Sequence, residues 1–120
     1  MSDARDLVNL EYILVSIQRL EEYTEGRQRR FEEVDLVQDA VMRRMETLSD
    51  AAHRLSPELK GRHPDVPWRS VYAFRNIAAH AYTEVDLKRV WRIVEGNLPK
   101  LKQMVEQELA RGDPDRGLEG

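Results

Sequence analysis

The chain predicts an all-α fold, an antiparallel bundle of four main helices with short extra turns, on three observations. Apolar residues recur every three or four positions along most of its length, the period of a helix with one buried face. No segment alternates apolar and polar residues with the period of two that a half-buried strand requires. Charged residues make up 34% of the 120 positions and aromatics only 7%, a balance that suits solvated helical surfaces better than a β-sandwich.

Leu7, Leu10, Ile13, Leu14, Ile17 and Leu20 form the first stripe, and Gly26 supplies a stop, so the first helix runs over about residues 4–24. Arg27-Gln28-Arg29-Arg30 is a short basic link. Val37, Val41, Met45, Leu48, Ala52 and Leu55 form the second stripe, on a helix over about residues 33–54. Ser56-Pro57 ends it, because the residue before a proline is driven out of the helical region, and the same pair caps a new short turn. Gly61 to Asp65 is read as loop, and Pro67 suits the first turn of a third helix that carries Trp68, Val71, Tyr72 and Phe74. Asp86 is a good N-cap for the last helix, whose inner stripe is Leu87, Val90, Trp91, Val94 and Leu98. Gly96 and Pro99 predict a kink there, or a break restarted by Asn97, before Leu101, Met104 and Leu109 continue the stripe. Residues 1–110 are thus one helical domain, and 111–120, with three glycines and a proline, a flexible tail.

The absence of cysteine excludes a disulfide framework and thiolate metal sites. No apolar run approaches the ~18 residues of a membrane span, and the first residues do not form a signal peptide. A soluble, cytoplasmic protein is expected. The net charge is −3, but it is unevenly spread: residues 1–26 sum to −4, residues 27–105 to +4 and residues 106–120 to −3. A basic centre between acidic ends attracts phosphate locally. Two of the apolar stripes are narrow and flanked by charge, a pattern that predicts burial against a second copy of the chain.

The chemistry is concentrated in Arg75-Asn76-Ile77-Ala78-Ala79-His80-Ala81-Tyr82, which brings a permanent cation, an amide, an imidazole and a phenol within eight positions. An imidazole can move the proton of a ribose 2′-OH, and a guanidinium can hold a phosphate, so these groups suffice to cleave RNA without a metal. The Arg-to-His spacing alone carries little, because 15 arginines and three histidines make about one such match expected by chance. Asn after the arginine and Tyr two after the histidine lower the expectation to the order of 0.001. Ordinary structural uses exist for the same residues: an intrahelical ion pair for Arg75, a helix C-cap for His80 and a turn for Asn76. His53 and His63 have no metal-ligand spacing, and Trp68 and Trp91 sit on apolar stripes as core anchors. Five positions apart, Arg75 and His80 lie ~140° apart around a helix, so either the helix ends between them or they reach a shared cleft from different angles.

With Asn76, Arg75-x4-His80-x-Tyr82 resembles the Arg-x4-His-x-Tyr motif of HepT-type toxins, a branch of the HEPN-domain ribonuclease superfamily. The likeness extends through Glu21-Glu22-Tyr23-Thr24, Gln38-Asp39-Ala40-Val41 and Leu55-Ser56-Pro57-Glu58-Leu59. It continues in Pro64-Asp65-Val66-Pro67-Trp68-Arg69, Val85-Asp86-Leu87, Val90-Trp91 and Asn97-Leu98-Pro99, covering residues 5–109. The resemblance implies a HEPN-like bundle and a homodimer with the motif at its interface. It also implies a metal-independent endoribonuclease toxin without cofactor, in which Arg75, His80 and Asn76 act on RNA. Its partner would be a nucleotidyltransferase antitoxin that attaches AMP to Tyr82. Arg27, Arg29 and Arg30 are the candidates for accessory RNA or partner contacts. The chain departs from the family text at Ser49-Asp50-Ala51, where Gly-Glu-Ala is usual, and at Ala78-Ala79, where large aliphatics are frequent. A second class of function fits the same residues: a catalytically weak binding module that docks the nucleotidyltransferase and serves as its substrate.

Overall fold

The computed structural model describes residues 4–80 and 87–112, with the side chains of residues 78–80 outside the description. Among the described residues there are six helices and no strand: α1 (Ala4–Thr24), α2 (Gln28–Glu33), α3 (Asp35–Arg54), α4 (Pro57–Gly61), α5 (Trp68–His80) and α6 (Leu87–Gly112). The four long ones close a ring in which α1 packs on α3, α3 on α5, α5 on α6 and α6 on α1. One continuous core joins them, from Leu10, Ile13 and Ile17 through Met45 and Leu48 to Phe74, Leu101 and Val105. None of the described helices is long and apolar enough to cross a membrane.

The first helix ends where the sequence places its stop. Glu25 and Gly26 both take positive φ, 52° and 68°, and the left-handed region costs a residue with a Cβ about 1 kcal/mol or more. Gly26 bears no such cost. The Thr24 hydroxyl donates to the Leu20 carbonyl at 2.8 Å and accepts from the Gly26 N–H at 3.2 Å, so the reversal is tied into the last turn.

Three expectations are corrected. The basic link is itself helical: α2 covers Gln28–Glu33, because Phe31 at its centre is fully buried and stacks on Trp91 with ring centroids 5.8 Å apart. The second long helix therefore starts at Asp35 rather than 33. Gly61 closes α4 instead of opening a loop. The last helix runs unbroken through Gly96 and Pro99 to Gly112, so of the kink or break expected there, the break does not occur. Pro99 is exposed, which leaves the carbonyl it deprives of a donor near solvent, and Leu98 and Leu101 hold both flanks to the core. The expected N-cap Asp86 and the tail beyond Gly112 lie outside the described residues.

Ser56-Pro57 caps α4 as expected: Ser56 Oγ accepts from the Leu59 N–H at 3.2 Å, and Pro57 opens the helix. The sequence gives no hint of its partner. Asp6 of α1, itself buried, accepts from the Ser56 N–H at 2.8 Å and from its hydroxyl at 2.6 Å. A second buried carboxylate fixes the other end of this segment. Glu108 of α6 accepts from Arg62 Nη2 at 2.7 Å and Nε at 3.3 Å, and pairs with His63 Nε2. Burial alone would raise its pKa, but the hydrogen bonds and charges of Arg62 and His63 outweigh that and hold it at about 2.

Glu108 therefore stabilises the fold in full above its ordinary pKa of 4.5, and loses that contribution as pH falls through about 2. Glu108→Gln is expected to cost about 2–3 kcal/mol at neutral pH, as removal of a buried charge partner does. Its stability should also fall less steeply than the parent's over that acid window. Urea melts of both proteins across the acid range check this.

Candidate functional site

α5 carries the motif, and its inner edge decides where the motif points. Val71 and Phe74 are fully buried three positions apart, with Ile77 half-buried beyond them. Arg75 and Asn76 consequently lie on the exposed side. The helix leans on α3 at a small residue: Ser49 is fully buried, and its hydroxyl donates to the Tyr72 carbonyl at 3.0 Å. The departure from glycine at this position thus supplies a link between the two helices.

That close approach sets Arg75 against Asp50. The guanidinium Nη1 donates to Asp50 Oδ1 at 2.7 Å, with side chains 65% and 35% exposed. The pair joins two helices and is not the intrahelical bridge that the sequence allowed. An ion pair this open contributes at most about 1 kcal/mol. It aims the guanidinium without locking it, and a phosphate can take the carboxylate's place at little cost.

α5 is unbroken from Trp68 to His80, so the helix does not end between the arginine and the histidine. Their Cα atoms are separated by ~7.5 Å along the axis and ~140° around it. His80 is the last residue of α5; its side chain, and the whole of Tyr82, lie outside the described residues. Arg27, Arg29 and Arg30 are not brought to this place. They sit in α2 and at its N-cap, just ahead of the start of α3, whereas Asp50 sits near the end of α3, some 15 residues or roughly 20 Å away along that helix. Arg29 pairs with Glu33 at 3.0 Å, and Arg30 Nε donates to the Tyr23 carbonyl at 2.8 Å and pairs with Glu25 at 3.1 Å.

Sequence reasoning missed the neighbours one turn from Arg75. His53 stacks on Tyr72 with ring centroids 4.0 Å apart and planes 19° from parallel. Lys60 Nζ lies 4.9 Å from the Tyr72 ring centroid and donates to the His53 carbonyl at 3.2 Å. Asp50 and His53 are spaced three apart on α3, as Tyr72 and Arg75 are on α5. Each pair is visible in the sequence, but their facing across a seam is not. Trp68, half-buried, donates from its indole to the His63 carbonyl at 3.0 Å, as an anchored aromatic should.

The chain is also similar to known proteins. The family model described as HepT-like, Ribonuclease HepT-like, matches residues 13–108. A protein of Methanocaldococcus jannaschii named a gamma-glutamylcyclotransferase and candidate RNase is 34% identical over 99 residues, 82% of this chain and 45% of its own length. A candidate RNase of the same organism is 32% identical over 71 residues, 59% of this chain and 65% of its own. A "Probable ribonuclease HepT" of Thermococcus cleftensis is 34% identical over 101 residues, 82% of this chain and 90% of its own. The chain therefore spans under half of the first relative, about two thirds of the second and nearly all of the third. No solved structure matches it.

The two contacts across the α3–α5 seam should behave differently when removed. Asp50→Asn should change the free energy of unfolding by no more than about 1 kcal/mol. Ser49→Leu, which forces a larger group between the helices and removes a hydrogen bond, should cost about 2 kcal/mol or more. Equilibrium denaturation of the two variants checks the contrast.

Proposed function

The chain belongs to the HepT-like ribonuclease family, and we propose that it is a metal-independent endoribonuclease toxin of a toxin–antitoxin pair. The observation that carries the reading is Arg75, held exposed by Asp50 on the same unbroken helix that ends in His80. A guanidinium so placed can bind a phosphodiester and stabilise the extra negative charge of its pentacoordinate transition state. His80 takes the proton of the neighbouring ribose 2′-OH as that oxygen attacks phosphorus. The P–O5′ bond breaks, leaving a 2′,3′-cyclic phosphate and a 5′-OH end. Asn76, beside Arg75, orients the phosphate or a motif side chain.

The ~140° offset between Arg75 and His80 favours a composite site. In a symmetric dimer, two copies of α5 would present two arginines and two histidines to one cleft, so each group would reach the phosphate from its own side. RNA is the substrate this arrangement suits, since the attacking hydroxyl belongs to ribose.

Control of the site is proposed to run through Tyr82, two positions beyond His80. A nucleotidyltransferase antitoxin would activate the phenol as a nucleophile on the α-phosphate of ATP, releasing pyrophosphate and leaving AMP on the oxygen. The added charge and bulk would then occupy the place of the substrate phosphate and pair with Arg75.

Arg75→Ala and His80→Ala are each expected to abolish cleavage of labelled RNA with EDTA present, and to keep the parental fold. A mixture of the two variants should regain activity if the site is pooled between protomers, and light scattering should give twice 14.0 kDa. Parental cleavage by His80→Ala would remove the general base from this scheme. Co-expression with the nucleotidyltransferase should add increments of about 329 Da, the mass of an AMP unit, to the parent and none to Tyr82→Phe. Adducts mapped to another tyrosine would refute that assignment.

A further inference from the structure

We propose that the exposed face of His53, held flat by Tyr72, is the stacking platform for an unpaired RNA base adjoining the phosphate that Arg75 holds. The inference rests on the RNA-cleaving reading above and adds to it a subsite for the base. A ring that served only to fill the α3–α5 seam would be buried in it, as Phe74 is. His53 is exposed. One of its faces lies on Tyr72, with ring centroids 4.0 Å apart, so its accessible surface is the other face and the edges.

The plate is rigid before any ligand arrives. Tyr72 is half-buried, and its backbone carbonyl accepts the Ser49 hydroxyl. Trp68 lies behind it with ring centroids 6.4 Å apart, and Lys60 is fixed between its ring and the His53 carbonyl. A base that stacks on a preset ring loses little of its binding energy to ordering the protein. Stacking accepts any base, because every base has a π-face.

Distance ties the plate to the chemistry. His53 follows Asp50 by three positions on α3, and Tyr72 precedes Arg75 by three on α5. Plate and guanidinium are therefore about one helical turn apart, ~5 Å along both helices, within the reach of one nucleotide. His80 lies beyond Arg75 in the opposite direction along α5. Cations surround the plate, with Arg54 next to His53, Lys60 beneath Tyr72 and Arg69 one turn earlier on α5. They supply attraction for the sugar–phosphate chain without selecting a sequence.

The test is a fluorescence-anisotropy titration with a short, labelled RNA whose 2′-OH groups are methylated, so that it binds without being cut. An oligomer of the same length without bases is titrated in parallel. His53→Ala is expected to weaken binding of the first about tenfold or more, the usual effect of removing one base stack. His53→Phe, which keeps a flat ring, should restore most of it, and the base-free oligomer should not distinguish the three proteins. Unaltered melting of His53→Ala shows that the fold is intact. Full binding by His53→Ala, or an equal loss on the base-free oligomer, overturns the platform while leaving the RNA reading in place. No binding by the parent protein overturns both, and a loss confined to Arg75→Ala overturns only the platform.

Discussion

The close approach of α3 and α5 is the constraint on which the site depends. It needs a small residue on α3 where the helices meet, and the fully buried Ser49 provides it. A larger residue there would push the helices apart by more than a hydrogen bond tolerates. Two contacts of different strength then share the seam. Ser49 is fully buried and its hydroxyl reaches the Tyr72 carbonyl at 3.0 Å, so it fixes the depth of α5. Asp50 to Arg75 is exposed, so it orients a side chain without holding the helix. Position and chemistry are thus assigned to neighbouring residues with little conflict.

The seam in turn depends on how the chain enters α5. The connection from α3 runs through the short helix α4, which has one fully buried anchor of its own, Leu59. A helix of five residues is far below the length that is stable alone. Two buried carboxylates supply what it lacks. Asp6 holds its N-cap, Ser56, from α1, and Glu108 holds Arg62 and His63 just past its end from α6. Both carboxylates are fully provided with donors, so the cost of burying them is met at each end. The segment before Trp68 is therefore clamped from two neighbouring helices of the ring.

Much of this architecture is legible in the residues, and the limits of that legibility have a physical pattern. The stop at Gly26 and the cap at Ser56-Pro57 are local events, set by backbone freedom and by the missing N–H of proline, and the structure has both. Periodicity yields the four long helices because each buries one face. It fails at Phe31, since one buried aromatic in a basic stretch has no period, and α2 forms around it. It fails in the other direction at Pro99, where packing on both sides keeps a helix that propensity would break. Ser56 for Asp6, Arg75 for Asp50, Tyr72 for the His53 ring and His63 for Glu108 lie at least 19 residues away in sequence. Nothing local selects them. At the site, the composition of the motif is plain from the sequence, whereas the orientation of Arg75 comes from the packing of a different helix.

Two of the arginine–carboxylate pairs show why this matters for function. Arg62 and Glu108 are 23% and 3% exposed, and Arg75 and Asp50 are 65% and 35% exposed. The same two chemical groups meet at 2.7 Å in both. In the first, water is excluded, so separating the charges would strand a carboxylate in the interior at several kcal/mol. That pair is fixed for as long as the fold is. In the second, water screens the attraction to about 1 kcal/mol or less, comparable to thermal energy. Asp50 can then yield the guanidinium to an arriving phosphate, and recover it when the phosphate leaves, without disturbing the core. Burial alone makes one pair a clamp and the other an exchangeable hold. A protein with net charge −3 can in this way keep a cation accessible on its surface, lightly held by an acid.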